Sequence, residues 1–299
     1  MKEQEVKTNS ARAWILAARP KTLTGAAVPV MTALALAWTD AGSEHFQWVP
    51  AILCMLFAFI MQIDANFIND YFDFKKGTDD EQRLGPQRAC AQGWVTLKAM
   101  RTAIALTTLT ACLTGLPLIY YGGYDMIAVG VLCVIFCFLY TTSLSYLGLG
   151  DVLVLVFFGI VPVCATYFLQ THTATMETLT VSIACGLVID TLLMVNNYRD
   201  RDNDRRTGKM TLVVRIGAKA SERLYLGLGI CACLLGIVFI AYGHLWAFVL
   251  PLGYLALHVA TYRRMVAINS GKQLNDILGE NARNMFIYGI LLTIGLLIG

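Results

Sequence analysis

Nine apolar segments, near residues 22–40, 48–69, 99–119, 124–142, 152–170, 178–198, 222–242, 245–262 and 283–298, limit what this chain can fold into. Each approaches about 20 residues, the length of helix that crosses a hydrocarbon core. Lipid offers no partner to a backbone N–H or C=O, so such a run crosses as an α-helix whose hydrogen bonds close within it. Only 14% of the residues are charged and the mean hydropathy is +0.61, whereas a soluble domain carries about 25% charged residues. The segments therefore predict an all-α polytopic membrane protein, nine transmembrane helices around a central cavity. It forms a single integral domain over 1–299, with no room for a separate soluble one. The nine cysteines fall mostly inside the segments and form no paired C-x-x-C array, so they read as apolar filler.

Charge placement orients the bundle. Loops near 41–47, 120–123, 171–177 and 243–244 contain no Lys or Arg. All 23 basic residues lie in the N-terminal segment or near 75–101, 199–223, 263–272 and 283. With nine spans the two loop sets alternate sides, and the positive-inside rule places the N-terminus and the basic loops in the cytoplasm. Residues 1–21, with Trp14 between Arg12 and Arg19, read as an interfacial segment that Pro20 turns inward. Nothing organises the basic residues for nucleic acid, and none is expected as a partner.

Two of the basic loops follow spans whose ends are acidic. The first, Gln62 to Asp79, puts Gln62, Asn66, Asp70 and Asp73 near one helical face. The second places Asn197, Asp200 and Asp204 at i, i+3 and i+7, again on one face. Carboxylates at the end of a span are costly unless partnered. The partner that suits clustered hard oxygens is Mg²⁺, which takes one or two carboxylates and completes its octahedron with phosphate oxygens and water. Asp200 and Asp204, one turn apart, can share one ion or hold two side by side. Lys76, Arg83, Arg88, Arg199, Lys209 and Arg215 are interspersed, supplying donors matched to phosphate. These parts suit cleavage of a diphosphate from a greasy substrate, with the bilayer helices keeping water from the electrophilic carbon.

Not every acid belongs to such a site. Asp79, Asp80, Glu81, Arg205 and Arg206 read more simply as solvated loop. Asp64 points away from Asp73 and predicts a helix–helix contact. Asp151 either caps a helix or orients an active-site group, the cap being the simpler reading. Asp190, two turns before Asn197 on the same face, is either a core acid or a group that meets substrate. His172, His244 and His258 are isolated and read as core or interfacial.

The two exits resemble the signatures of the UbiA superfamily of intramembrane aromatic prenyltransferases, N-D-x-x-D-x-x-x-D and D-x-x-x-D-x-x-x-G. They stand here as Asn69-Asp70-x-x-Asp73 and Asp200-x-x-x-Asp204-x-x-x-Gly208. Within it, Arg19-Pro20-Lys21-Thr22, G-L-G-D at 148–151 and the run ending L-V-V-R at 212–215 resemble the branch acting on 1,4-dihydroxy-2-naphthoate in menaquinone synthesis. So does L-N-D-I-L-G-E-N-A-R at 274–283. The resemblance implies that Asn66, Asp70, Asp73, Asn197, Asp200 and Asp204 hold Mg²⁺, two ions, with the diphosphate. By the same resemblance Lys209, Arg83 and Arg88 grip the diphosphate, and Gln62, Asn69, Tyr140, Asn196, Arg199 and Arg215 line the substrates. It further implies transfer of a polyprenyl group from polyprenyl diphosphate to dihydroxynaphthoate with loss of CO₂, giving demethylmenaquinone, in the bacterial inner membrane.

Two positions depart from the pattern. Gly77 stands where the signature has a third Asp, the next carboxylate being Asp79, and the segment Tyr140–Tyr146 is shorter than the family's loop. Other acceptors in the same class are 4-hydroxybenzoate, homogentisate and haem. From a different class, an ion-coupled transporter would place its acids at the midplane, and a CDP-alcohol phosphotransferase would need a D-G-x-x-A-R run absent here.

Overall fold

The computed structural model describes residues 6–77 and 83–299. Asp79, Asp80 and Glu81 lie outside the described residues. The fourteen α-helices found among these residues are α1 (Ala11–Ala18), α2 (Leu23–Ala41), α3 (Trp48–Lys76), α4 (Leu97–Gly115), α5 (Leu118–Gly122), α6 (Asp125–Leu139) and α7 (Gly150–Val154). The remainder are α8 (Val161–Thr171), α9 (Met176–Arg206), α10 (Leu212–Ile216), α11 (Ala218–Leu235), α12 (Leu245–Val249), α13 (Leu252–Ile268) and α14 (Leu274–Ile298). No strand occurs among them.

Each expected segment is helical, but only eight stretches of the described residues are long and apolar enough to cross a membrane. The exception is α4, the expected third span. Lys98, Arg101 and five threonines dilute its 19 residues. Some of that polarity serves the fold, because the Thr107 and Thr108 hydroxyls donate to the two oxygens of buried Asp64 on α3. The contact expected of Asp64 is thus present, and it pins α4 to α3.

At the centre stands α9, packed by α2, α8, α11 and α14. Small residues let the backbones approach: Gly159, in the π-helical turn Leu155–Ile160 between α7 and α8, abuts Gly186 of α9. A Cβ on Gly159 would lie 2.5 Å from the Ser182 carbonyl oxygen, inside contact distance. Gly159→Ala is therefore expected to destabilise the bundle by about 1–3 kcal/mol through overpacking, read as a lower melting temperature in detergent. In contrast, α6 buries none of its residues.

The loops sort to two ends, as the charge pattern requires. At one end the Gln47 N–H donates to Gln170 (2.9 Å) and the Tyr167 hydroxyl to Asp40 (2.6 Å). At the other, the Asn9 N–H donates to the Trp94 carbonyl (2.7 Å), the Met210 N–H to that of Tyr146 (3.1 Å) and Asn275 to that of Leu84 (2.8 Å). Here α1 lies against α3, capped by Ser10, with Ala13 and Ala17 buried and Trp14 edge-on to Phe67 at 5.6 Å. Ile15 and Leu16 remain exposed, as suits a helix lying on a membrane surface.

Candidate active site

Both acidic exits remain helical through their aspartates. Helix α3 runs to Lys76 and stops at Gly77, whose φ of 70° ends the helix in the left-handed region. That backbone favours glycine, a physical reason for Gly77 where the signature has Asp. Helix α9 runs to Arg206, beyond the expected end of the span. Asp70, Asp73, Asp200 and Asp204 are buried at these ends.

The four carboxylates have different surroundings. The oxygens of Asp70 accept from the N–H groups of Ala89 and Cys90, both at 2.9 Å, with Arg19 at 4.0 Å. Asp70 thereby fastens the loop after α3 to the helix it left. Both oxygens of Asp200 accept from Arg199, at 2.8 and 2.6 Å. Asp73 and Asp204 form the other pair. Each feels the charge of Lys209 most strongly among the ionised groups around it, with Arg83 also within reach, and Asp204 senses Asp200 and, more weakly, Asp73. Arg88 stands 3.8 Å from Asp73, and Asp204 Oδ2 is buried with no hydrogen-bond partner among the described residues.

The cations and amides also divide. Arg199, expected to line substrate, is braced against its neighbours. Fully buried, its guanidinium donates to Asp200, to Asn196 (2.8 Å) and to Asn275 of α14 (2.9 Å), which leaves no face for phosphate. Asn275 in turn donates to Leu84, so α14 joins the two exits. Gly85 lies against this strut; a Cβ there would come within 2.6 Å of Arg199 Nη2. Arg215 bridges loops, donating to the Met210 and Leu147 carbonyls at 3.1 and 3.2 Å. Lys76 donates to the carbonyls of Thr141 and Thr142 and stands 3.8 Å above the Tyr146 ring. Asn66 donates to the Ala18 carbonyl and to Thr22 Oγ1, both at 2.9 Å, and Gln62 joins the same cluster. Asn69 accepts from Thr141.

Asn197, Lys209 and Tyr140 meet around a cavity of about 10 Å³ that Asp151 also lines. The cap reading of Asp151 is corrected here: Leu149 precedes α7, no side chain caps it, and Asp151 sits in the first turn. Sequence reasoning missed Asn275 although its motif was visible.

Among the described residues no three Asp, Glu, His or Cys side chains converge as a ready-made metal cage. The donor set nevertheless fits Mg²⁺. It consists of hard oxygens, includes an unpartnered buried carboxylate oxygen on Asp204, and offers the one or two carboxylates that Mg²⁺ takes when phosphate supplies the rest.

A helical bundle with two acidic helix ends braced by arginines and an amide defines a class of intramembrane enzyme acting on diphosphates. Residues 26–290 match the UbiA prenyltransferase family, and the chain belongs to it. It is 33% identical over 312 residues to the 1,4-dihydroxy-2-naphthoate octaprenyltransferase of Haemophilus influenzae, covering 100% of both chains. To the protein of that name from Escherichia coli it is 36% identical over 79% of this chain and 76% of the other. Its fold is similar to a solved UbiA homolog from Archaeoglobus fulgidus bound to DMAPP and Mg²⁺ (TM-score 0.61, 11% identity, 94% of this chain and 99% of that one).

Proposed function

We propose that this chain transfers a polyprenyl group from polyprenyl diphosphate to 1,4-dihydroxy-2-naphthoate, releasing diphosphate and CO₂ and giving demethylmenaquinol, the reduced form of demethylmenaquinone. Full-length likeness to a dihydroxynaphthoate octaprenyltransferase supports the acceptor. The single structural observation that carries the chemistry is that Asp73 and Asp204 are both buried and both act with Lys209 and Arg83.

The donor diphosphate lies between the exits, where Lys209, Arg83 and Arg88 meet the negative charge that grows as the carbon–oxygen bond breaks. Asp73, Asp204 and Asn197 would hold Mg²⁺ there, which when bound would supply Lewis-acid neutralisation of the diphosphate oxygens. Asp70 and Asp200 serve chiefly by fixing the cationic loops; either would reach an ion only by releasing its present partners. The bundle excludes water from the prenyl cation. The basic end, with the N-terminus and the site, faces the cytoplasm from the bacterial inner membrane, a reading supported by the loop charges.

Membranes containing the protein, given dihydroxynaphthoate and labelled polyprenyl diphosphate, are expected to yield a prenylated lipid and CO₂ with Mg²⁺ and neither after chelation. Turnover of 4-hydroxybenzoate in place of dihydroxynaphthoate would sink the acceptor assignment.

A further inference from the structure

Beside the diphosphate site the protein keeps two acids that its own side chains do not satisfy. Asp151, in the first turn of α7, is 8% exposed, and Asp190, inside α9, is 5% exposed. Neither oxygen of Asp151, nor Oδ1 of Asp190, has a hydrogen-bond partner on another described residue. The charge of Asp151 acts on Asp190. Buried carboxylates without partners cost stability, and a protein holds them where a ligand completes them.

The geometry says what that ligand group is. Asp151 lines the 10 Å³ cavity together with Tyr140, Asn197, Lys209 and Thr211. That space takes about one oxygen atom with its hydrogen, not a ring. Asn197 and Lys209, assigned above to the diphosphate site, border it too. The Tyr140 hydroxyl stands 3.9 Å from where a Cβ on Gly150 would stand. A hydroxyl projecting from an aromatic ring held at the diphosphate site would enter it and meet Asp151.

Resting on the acceptor reading above, we infer that Asp151, backed by Asp190, receives the acceptor hydroxyl adjacent to the carboxyl-bearing carbon and holds its proton during transfer. As that carbon bonds to the prenyl carbon, the diphosphate departs with the carbon–oxygen pair. The hydroxyl O–H breaks, its electrons form a ring ketone, and Asp151 takes the proton. Loss of CO₂ returns the carbon–carbon pair through the ring to the ketone oxygen, which recovers its proton from Asp151. No oxidant or reductant is required.

The test uses the full chain, with Asp151→Asn and Asp190→Asn, both substrates varied, and the melting temperature measured in detergent. For Asp151→Asn, kcat is expected to fall by about a hundredfold or more, as for loss of a general base. The KM for polyprenyl diphosphate should stay within about threefold. Its melting temperature should hold or rise, because an unpartnered buried charge is gone, an outcome that a structural role would reverse. Asp190→Asn should give a smaller fall, about tenfold. An Asp151→Asn enzyme as fast as wild type, or one whose loss tracks a lower melting temperature or a raised donor KM, overturns the inference alone. A wild type that makes no prenylated naphthoate overturns the acceptor reading and this inference with it.

Discussion

Asp204→Asn is expected to lower kcat by about a thousandfold while leaving the protein folded, the scale of losing one charged stabiliser in a water-excluded site. Asn keeps the shape of Asp but not its charge. Because Asp204 Oδ2 has no hydrogen-bond partner among the described residues, the change breaks no contact there and relieves an unpaired buried carboxylate oxygen. Activity and stability should therefore separate. Steady-state prenyl transfer at saturating Mg²⁺, beside a detergent melting curve, measures both. A rate within about threefold of wild type would refute the pairing of Asp73 with Asp204 as the ion-holding face.

Arg199→Leu is expected to behave in the opposite way, losing stability first. The guanidinium is fully buried and serves Asp200, Asn196 and Asn275 at once. Removing it leaves a nearly buried carboxylate and two amide oxygens without their donor, a loss of about 3–5 kcal/mol by analogy with other broken buried pairs. The melting temperature should drop, and protease should cut the segment 83–96 faster, since Asn275 holds both Arg199 and Leu84. Arg199→Lys keeps the charge without the planar fork and should recover only part of the loss. An unchanged melting temperature in Arg199→Leu would show that the strut carries no weight.

The helices were legible because 3.6-residue spacing and runs of about 20 apolar residues are local properties. That same periodicity put Asp70, Asp73, Asp200 and Asp204 on helix faces before any contact was known. What it could not show was pairing across long separations. Nothing in the spacing tells that Asp70 seeks Ala89 and Cys90, or that Arg199 reaches Asn275 across 76 residues. Motif membership made the four aspartates look equivalent; their partners differ, with two backbone amides on Asp70, Arg199 on Asp200, Arg88 near Asp73, and one Asp204 oxygen without a hydrogen-bond partner among the described residues. Asp151 looked like a helix cap because an acid near the start of a span usually is one, and only burial without a partner reveals the difference. The weak hydropathy of α4 has the converse cause: its threonines answer an acid on α3 that lies 43 residues earlier than Thr107.

The clasp of Asp70 on the Ala89 and Cys90 amides bears on how inherited or engineered variants of this chain should be scored. On the function proposed above, a dead Asp70 allele and a dead Asp204 allele would share one phenotype for unrelated reasons, the first through a displaced arginine-bearing loop and the second through a missing ligand charge. Loss of growth in a complementation screen thus cannot by itself sort ligands from fasteners. Suppressors can: a second-site change that stiffens the 83–96 segment should rescue the former and leave the latter dead.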